Sequence, residues 1–124
     1  MAALYKINLI QGETFNLKFT YKDDQATPQP ISLVGYTIVG SVKSTTTSLK
    51  SYPFTVTYNS PKSDGVFYLS LPYSTISNIP IVSIDPLTPD IFVYDVFLIT
   101  DATDTRKKLL YGEAWIYPSA TKGI

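Results

Sequence analysis

The chain has 124 residues, ten Lys and Arg against ten Asp and Glu, and neither cysteine nor histidine. That length fits one domain whose core is large enough to hold without covalent staples. The missing residue types exclude disulfide frameworks, thiolate metal sites, thiol nucleophiles and imidazole bases, and scattered charge of zero net sign gives no basic stripe for nucleic acid.

Ten tyrosines, six phenylalanines and many Thr, Val and Ile bias the composition toward strands. The first predicted strand is 4–10. It lies in MAALYKINLI, where Lys6 and Asn8 interrupt the apolar run before it reaches the length of a signal sequence, so the expectation is a soluble, untargeted chain. The second, 14–21, alternates without a break: Phe15, Leu17, Phe19 and Tyr21 on one side, Thr14, Asn16, Lys18 and Thr20 on the other. After Lys22-Asp23-Asp24 and a proline-bearing loop come strands at 36–43 and 52–59. Asp64-Gly65 supplies the positive φ of a tight reversal, which predicts a hairpin to 66–71 with Phe67, Leu69 and Leu71 facing the same side as Phe54, Val56 and Tyr58.

Between Pro72 and Pro80 there is room for one helical turn near 72–78, and 79–90 (IPIVSIDPLTPD) reads as a long proline-rich connection carrying Ile81, Val82, Ile84 and Leu87. The last predicted strands are 91–100 and 108–117, joined by the polar link DATDTRK. The apolar run at 91–99 contains Asp95 and is far short of the ~20 residues that cross a bilayer, so no membrane partner is expected. The sum is an all-β antiparallel sandwich of about seven strands, with a single domain over 1–118 and a tail over 119–124.

Little in this chain points to catalysis. Ser119-Ala120-Thr121-Lys122 fits S-x-x-K without its companion motifs, Glu13 and Glu113 sit in distant elements, and Asp23-Asp24 and Asp101/Asp104 miss the calcium-loop pattern. The expectation is no enzyme, no metal and no cofactor. Trp115 and the tyrosines have two readings, a platform for sugar rings or cross-strand packing, and the structural reading is favoured.

The alternation fails at the end of the chain, and there it carries information. Phe92, Tyr94, Val96 and Leu98 share one face of the sixth strand, yet Val93, Phe97 and Ile99 on the other face are also apolar, with Asp95 between them. The last strand repeats this, with Tyr111, Trp115 and Tyr117 opposite Leu110, Ala114 and Ile116. A sandwich buries one face of each strand, so the second face needs another cover, a partner or the local flanking loops, and the partner is the favoured reading. The expected interface is Val93, Phe97, Ile99, Tyr111, Trp115 and Tyr117, joined by Ile81 and Leu87 of the loop and Ile124 of the tail.

The punctuation QGETFNLKFTYKDD, ISLVGYT, LPYSTISNIP, VYDVFL and KLLYGEAWIYPSATK resembles small virion structural proteins of tailed bacteriophages, in particular the N-terminal domain of upper baseplate proteins. The matching positions are Gln11 to Phe15, then Leu33, Gly35, Tyr36 and Thr37, then Tyr94, Asp95 and Val96, and finally Gly112, Ala114, Ile116 and Pro118. Ser32 stands where the pattern has Asp, and the 79–90 loop is longer and richer in proline. The resemblance implies an immunoglobulin-like sandwich. It also implies a non-catalytic virion role, as a tail or baseplate adaptor for fibres or receptor-binding proteins, with other virion subunits and further copies of itself as partners. A capsid decoration (cement) protein and, from another class, a carbohydrate-binding module stay open beside it.

Overall fold

The computed structural model describes residues 3–22, 26–27, 29–45 and 50–119. In chain order the strands are β1 (Ala3–Leu4), β2 (Ile7–Ile10), β3 (Phe15–Thr20), β4 (Tyr36–Lys43), β5 (Tyr52–Pro53), β6 (Thr55–Tyr58), β7 (Val66–Leu71), β8 (Asp90–Thr100) and β9 (Thr105–Tyr117). A single short helix, α1 (Tyr73–Ser77), separates β7 from β8 among the described residues. Sheet A has the order β5-β4-β8-β9, with β1 and β2 pairing in parallel along the far edge of β9; sheet B has the order β3-β7-β6. The two sheets form an all-β sandwich, with the first strands lying parallel to the last.

The seven runs legible in the sequence are seven extended segments here, and two of them are interrupted. Residues 4–10 break at Tyr5-Lys6 without losing register, since Leu4 pairs with Tyr111 and Ile7 with Ala114. Residues 52–59 break at Phe54, where the chain leaves sheet A and enters sheet B. The crossing depends on Gly40. The Phe54 N–H donates to the Gly40 carbonyl at 2.9 Å. A Cβ on Gly40 would lie 2.7 Å from the Asp95 carbonyl oxygen and 3.2 Å from the Phe54 ring, so a side chain there would push the crossing strand away.

Alternation fills the space between the sheets. Phe67, Leu69 and Leu71 of β7 are buried, Phe15, Leu17 and Phe19 of β3 pack beside them, and Phe92, Tyr94, Val96 and Leu98 of β8 close the core from sheet A. Each buried aliphatic or aromatic side chain contributes about 1.5–3 kcal/mol. Thus the dry face of 14–21 packs, half-buried, against the core from the edge of sheet B.

Helix α1 starts after Pro72, which is tolerated there because the first helical N–H groups have no partner within the helix. Ile76 and Ile79 are buried and anchor it. The β2–β3 turn is tied to the same place: the Gly12 N–H donates to Ser77 Oγ at 3.0 Å, and the Gln11 amide donates to the Ile79 carbonyl at 3.1 Å.

Strand β9 begins at Thr105, three residues before the expected 108, because Thr105 to Lys108 pair with the end of β8. The register shifts between Val96 and Phe97, which face Leu110 and Lys108, and the unmatched Leu109 marks a bulge. At the other side of sheet A, short β5 leaves part of β4 without a strand neighbour. There the Ile38 N–H donates to the Tyr58 hydroxyl at 2.8 Å, and Lys62 Nζ donates to the Tyr36 carbonyl at 3.2 Å.

Candidate functional site

Two surfaces stand out, the outer face of sheet A and the loop at 79–90. On β8, Val93, Asp95, Phe97 and Ile99 point outward, and on β9 so do Tyr111, Glu113, Trp115 and Tyr117, all half-buried or exposed. Asp95 and Lys108 form an ion pair at 3.8 Å, with both side chains more than 40 % exposed, a geometry worth little by itself. The Lys108 ammonium also lies 5.5 Å from the Phe97 ring and 5.8 Å from the Tyr111 ring. A shallow hollow of about 280 Å³ opens between β4, β8 and β9, lined among others by Lys43, Val93, Lys108 and Tyr111.

Trp115 is less open than a sugar platform requires. Its indole N–H donates to Glu113 Oε1 at 3.0 Å, and Lys6 Nζ sits 3.7 Å from the ring centroid. A cation already occupies one face of the ring.

The loop is braced from within. The Asp90 carboxylate accepts the Val82 N–H at 2.6 Å and the Ser83 N–H at 3.1 Å. Asp85 accepts the Leu87 N–H at 3.0 Å and the Thr88 hydroxyl at 3.1 Å, and the Ser83 hydroxyl donates to the Thr88 carbonyl at 2.5 Å. Such side-chain-to-backbone bonds hold a turn without a sheet to lean on. They leave Val82, Ile84 and Leu87 at 90 %, 94 % and 87 % exposure. Ile81 behaves otherwise than expected: it packs against the core, because the chain has only just left buried Ile79.

One inward-facing group ties the first strand to this sheet. Tyr94 on β8 faces Gly112 on β9, and its hydroxyl donates to the Tyr5 carbonyl, one strand further on, at the break between β1 and β2. Gly112 has φ of 155°, and a Cβ there would stand 2.4 Å from the Tyr5 carbonyl oxygen. Burial, and after it the charge of Tyr5, pushes the Tyr94 hydroxyl up to about 12.

The structure therefore gathers Val93, Phe97, Ile99, Tyr111, Trp115 and Tyr117 on one face, sets Leu87 on a separate projection, and turns Ile81 inward. Ile124 lies outside the described residues. Sequence reasoning passed over Val39 and Ile91, both exposed on the same sheet, and Lys43 and Lys108 at the hollow. For Val39 the signal was present, since YTIVGSV is apolar at adjacent positions just as β8 is. Among the described residues there is no group of three or more acidic side chains placed to hold a metal ion, and no helix is long and apolar enough to cross a membrane. No protein-family model matches this chain, and no curated protein sequence matches it.

Proposed function

We propose that this chain is a non-catalytic structural subunit of a tailed-phage virion, a tail or baseplate adaptor that holds fibres or receptor-binding proteins. The observation that carries the reading is the braced loop. Three aliphatic side chains held almost wholly in water by a dedicated set of hydrogen bonds are a contact awaiting its partner. The outer face of sheet A adds a second apolar surface on the same molecule. The resembling motifs lie on or beside strands of the sandwich: QGETF opens β3, ISLVGYT enters β4, VYDV lies in β8 and GEAWIYP ends β9. The cation on the Trp115 ring weighs against a carbohydrate-binding module.

Antibody labelling of purified particles tests the reading. Label at the tail tip supports an adaptor. Label over the head shell would replace the adaptor with a capsid decoration protein, and particles that carry none of the chain would overturn the virion role altogether.

A further inference from the structure

We infer that the outer face of sheet A pairs with the same face of a second copy, about a two-fold axis running along β8. The inference rests on reading that face as a contact surface and is independent of the virion role.

The pairing register carries it. On the outer face, the neighbouring strands β4, β8 and β9 form rows of one residue each. One row reads Lys43, Val93, Glu113; the next reads Ser41, Asp95, Tyr111; the third reads Val39, Phe97, Lys108. The first row is apolar in the middle and oppositely charged at its ends. Lys43 has no ion-pair partner among the described residues, and Glu113 meets only the neutral Trp115 N–H at 3.0 Å. The two stand two strands apart, about 10 Å, with Val93 between them. The face is thus charge-balanced, with its two unpaired signs on opposite flanks. A second copy of the same face completes such a pattern.

An axis along β8 lays β4 of one copy over β9 of the other and keeps each row over the same row. Lys43 of each copy then faces the partner's Glu113, twice per dimer. Val93, Phe97 and Ile99 meet their own counterparts on the axis. Asp95 does so too, each already paired with Lys108 of its own chain at 3.8 Å. Stacked sheets stand ~10 Å apart, a gap that a lysine and a glutamate span together. The shallow hollow around Val93 gives these long side chains room. An axis across the strands would instead lay β4 on β4, which offers Lys43 no carboxylate. Five strands ~4.8 Å apart over ~20 Å of β8 cover roughly 400–500 Å² in plan. That is near the lower limit of specific contacts, so the dimer forms and dissociates with concentration.

Charge exchange tests the axis. Lys43→Glu and Glu113→Lys each set like charges face to face twice, and should raise the dimer dissociation constant about tenfold or more in sedimentation. Circular dichroism and thermal melting verify that each variant folds. The double variant Lys43→Glu/Glu113→Lys reverses both pairs and should associate as the parent does. An equimolar mixture of the two single variants should also recover association, because each supplies the charge that the other lacks. A bridge within one chain cannot produce that result. A parent that stays monomeric at about 1 mM, single variants that associate like the parent, or a mixture no stronger than its components each overturns the inference. Weakening by Glu113→Lys alone, with Lys43→Glu unchanged, would overturn the axis along β8. Particle labelling decides the virion role separately: a chain absent from particles leaves the dimer standing, and failed charge exchange leaves the virion role standing.

Discussion

The two sheets bury similar faces and show the solvent very different ones. Outward from sheet B stand Asn16, Lys18, Thr20, Thr55, Thr57 and Ser70, with Val66 and Tyr68 half-buried among them. Outward from sheet A stand Val39, Val93, Phe97, Ile99, Tyr111, Trp115 and Tyr117, with Asp95 and Glu113 tied to neighbours. Folding asks for one dry face per sheet and is indifferent to the other. The outer face of sheet A is rich in apolar side chains that the core between the sheets does not use, and a surface of that composition is the kind that meets another. Both sheets close the core; sheet B shows the solvent a mostly polar surface and sheet A a more apolar one.

The largest expected effect removes the base of that comparison. Gly112→Ala places a Cβ against the Tyr5 carbonyl and should detach the first strand from sheet A, at a cost of about 2–4 kcal/mol in urea unfolding. An unchanged midpoint would show that the close approach at Gly112 is not needed. Next in size is an alkaline loss. The folded state holds the Tyr94 proton more tightly than the unfolded chain, so its contribution is complete below pH 10 and is lost as pH rises through about 12. The loss reaches roughly 2–3 kcal/mol, because the phenolate is desolvated by burial and, to a smaller extent, faces the charge of Tyr5. Tyr94→Phe should lack that part of the slope and cost about 1 kcal/mol at neutral pH; identical slopes for the two proteins would remove Tyr94 as the cause. The smallest effect on stability sharpens the contrast most. Phe97→Lys on sheet A and Tyr68→Glu on sheet B should each stay within about 1 kcal/mol of the parent, while Phe97→Lys alone lowers self-association in sedimentation. Unfolding by Phe97→Lys would mean that the two faces of β8 are reversed.

Much of this was legible in the sequence, for a physical reason. Inside and outside alternate with period two, so Phe15, Leu17 and Phe19, or Phe92, Tyr94, Val96 and Leu98, declare their side directly. The same period hides which sheet a strand joins. From Tyr52 to Tyr58 the alternation runs on unbroken while the chain changes sheets at Phe54, close against Gly40, far away in sequence. The early start of β9 was hidden because Thr105, Arg106 and Lys107 are polar and extend past the core. In the sequence the loop reads as a long proline-rich connection with aliphatic side chains. The brace itself lay in Ser83, Asp85, Thr88 and Asp90, a spacing of turn-forming side chains that local chemistry could have identified. Pairing of the first strand with the last joins residues at opposite ends of the chain, and no local pattern encodes it.

The Tyr58 hydroxyl and the Lys62 ammonium, bonded to the backbone of β4 where β5 stops short, bear on how such a molecule behaves in a crowd. A bare strand margin is a template on which another chain can add its own strand, and closely packed copies multiply the opportunities. Here part of that margin is already filled by the protein's own side chains. Growth sideways, toward fibrils, is obstructed at this border, and copies brought together at high local concentration are left to meet through their faces and loops.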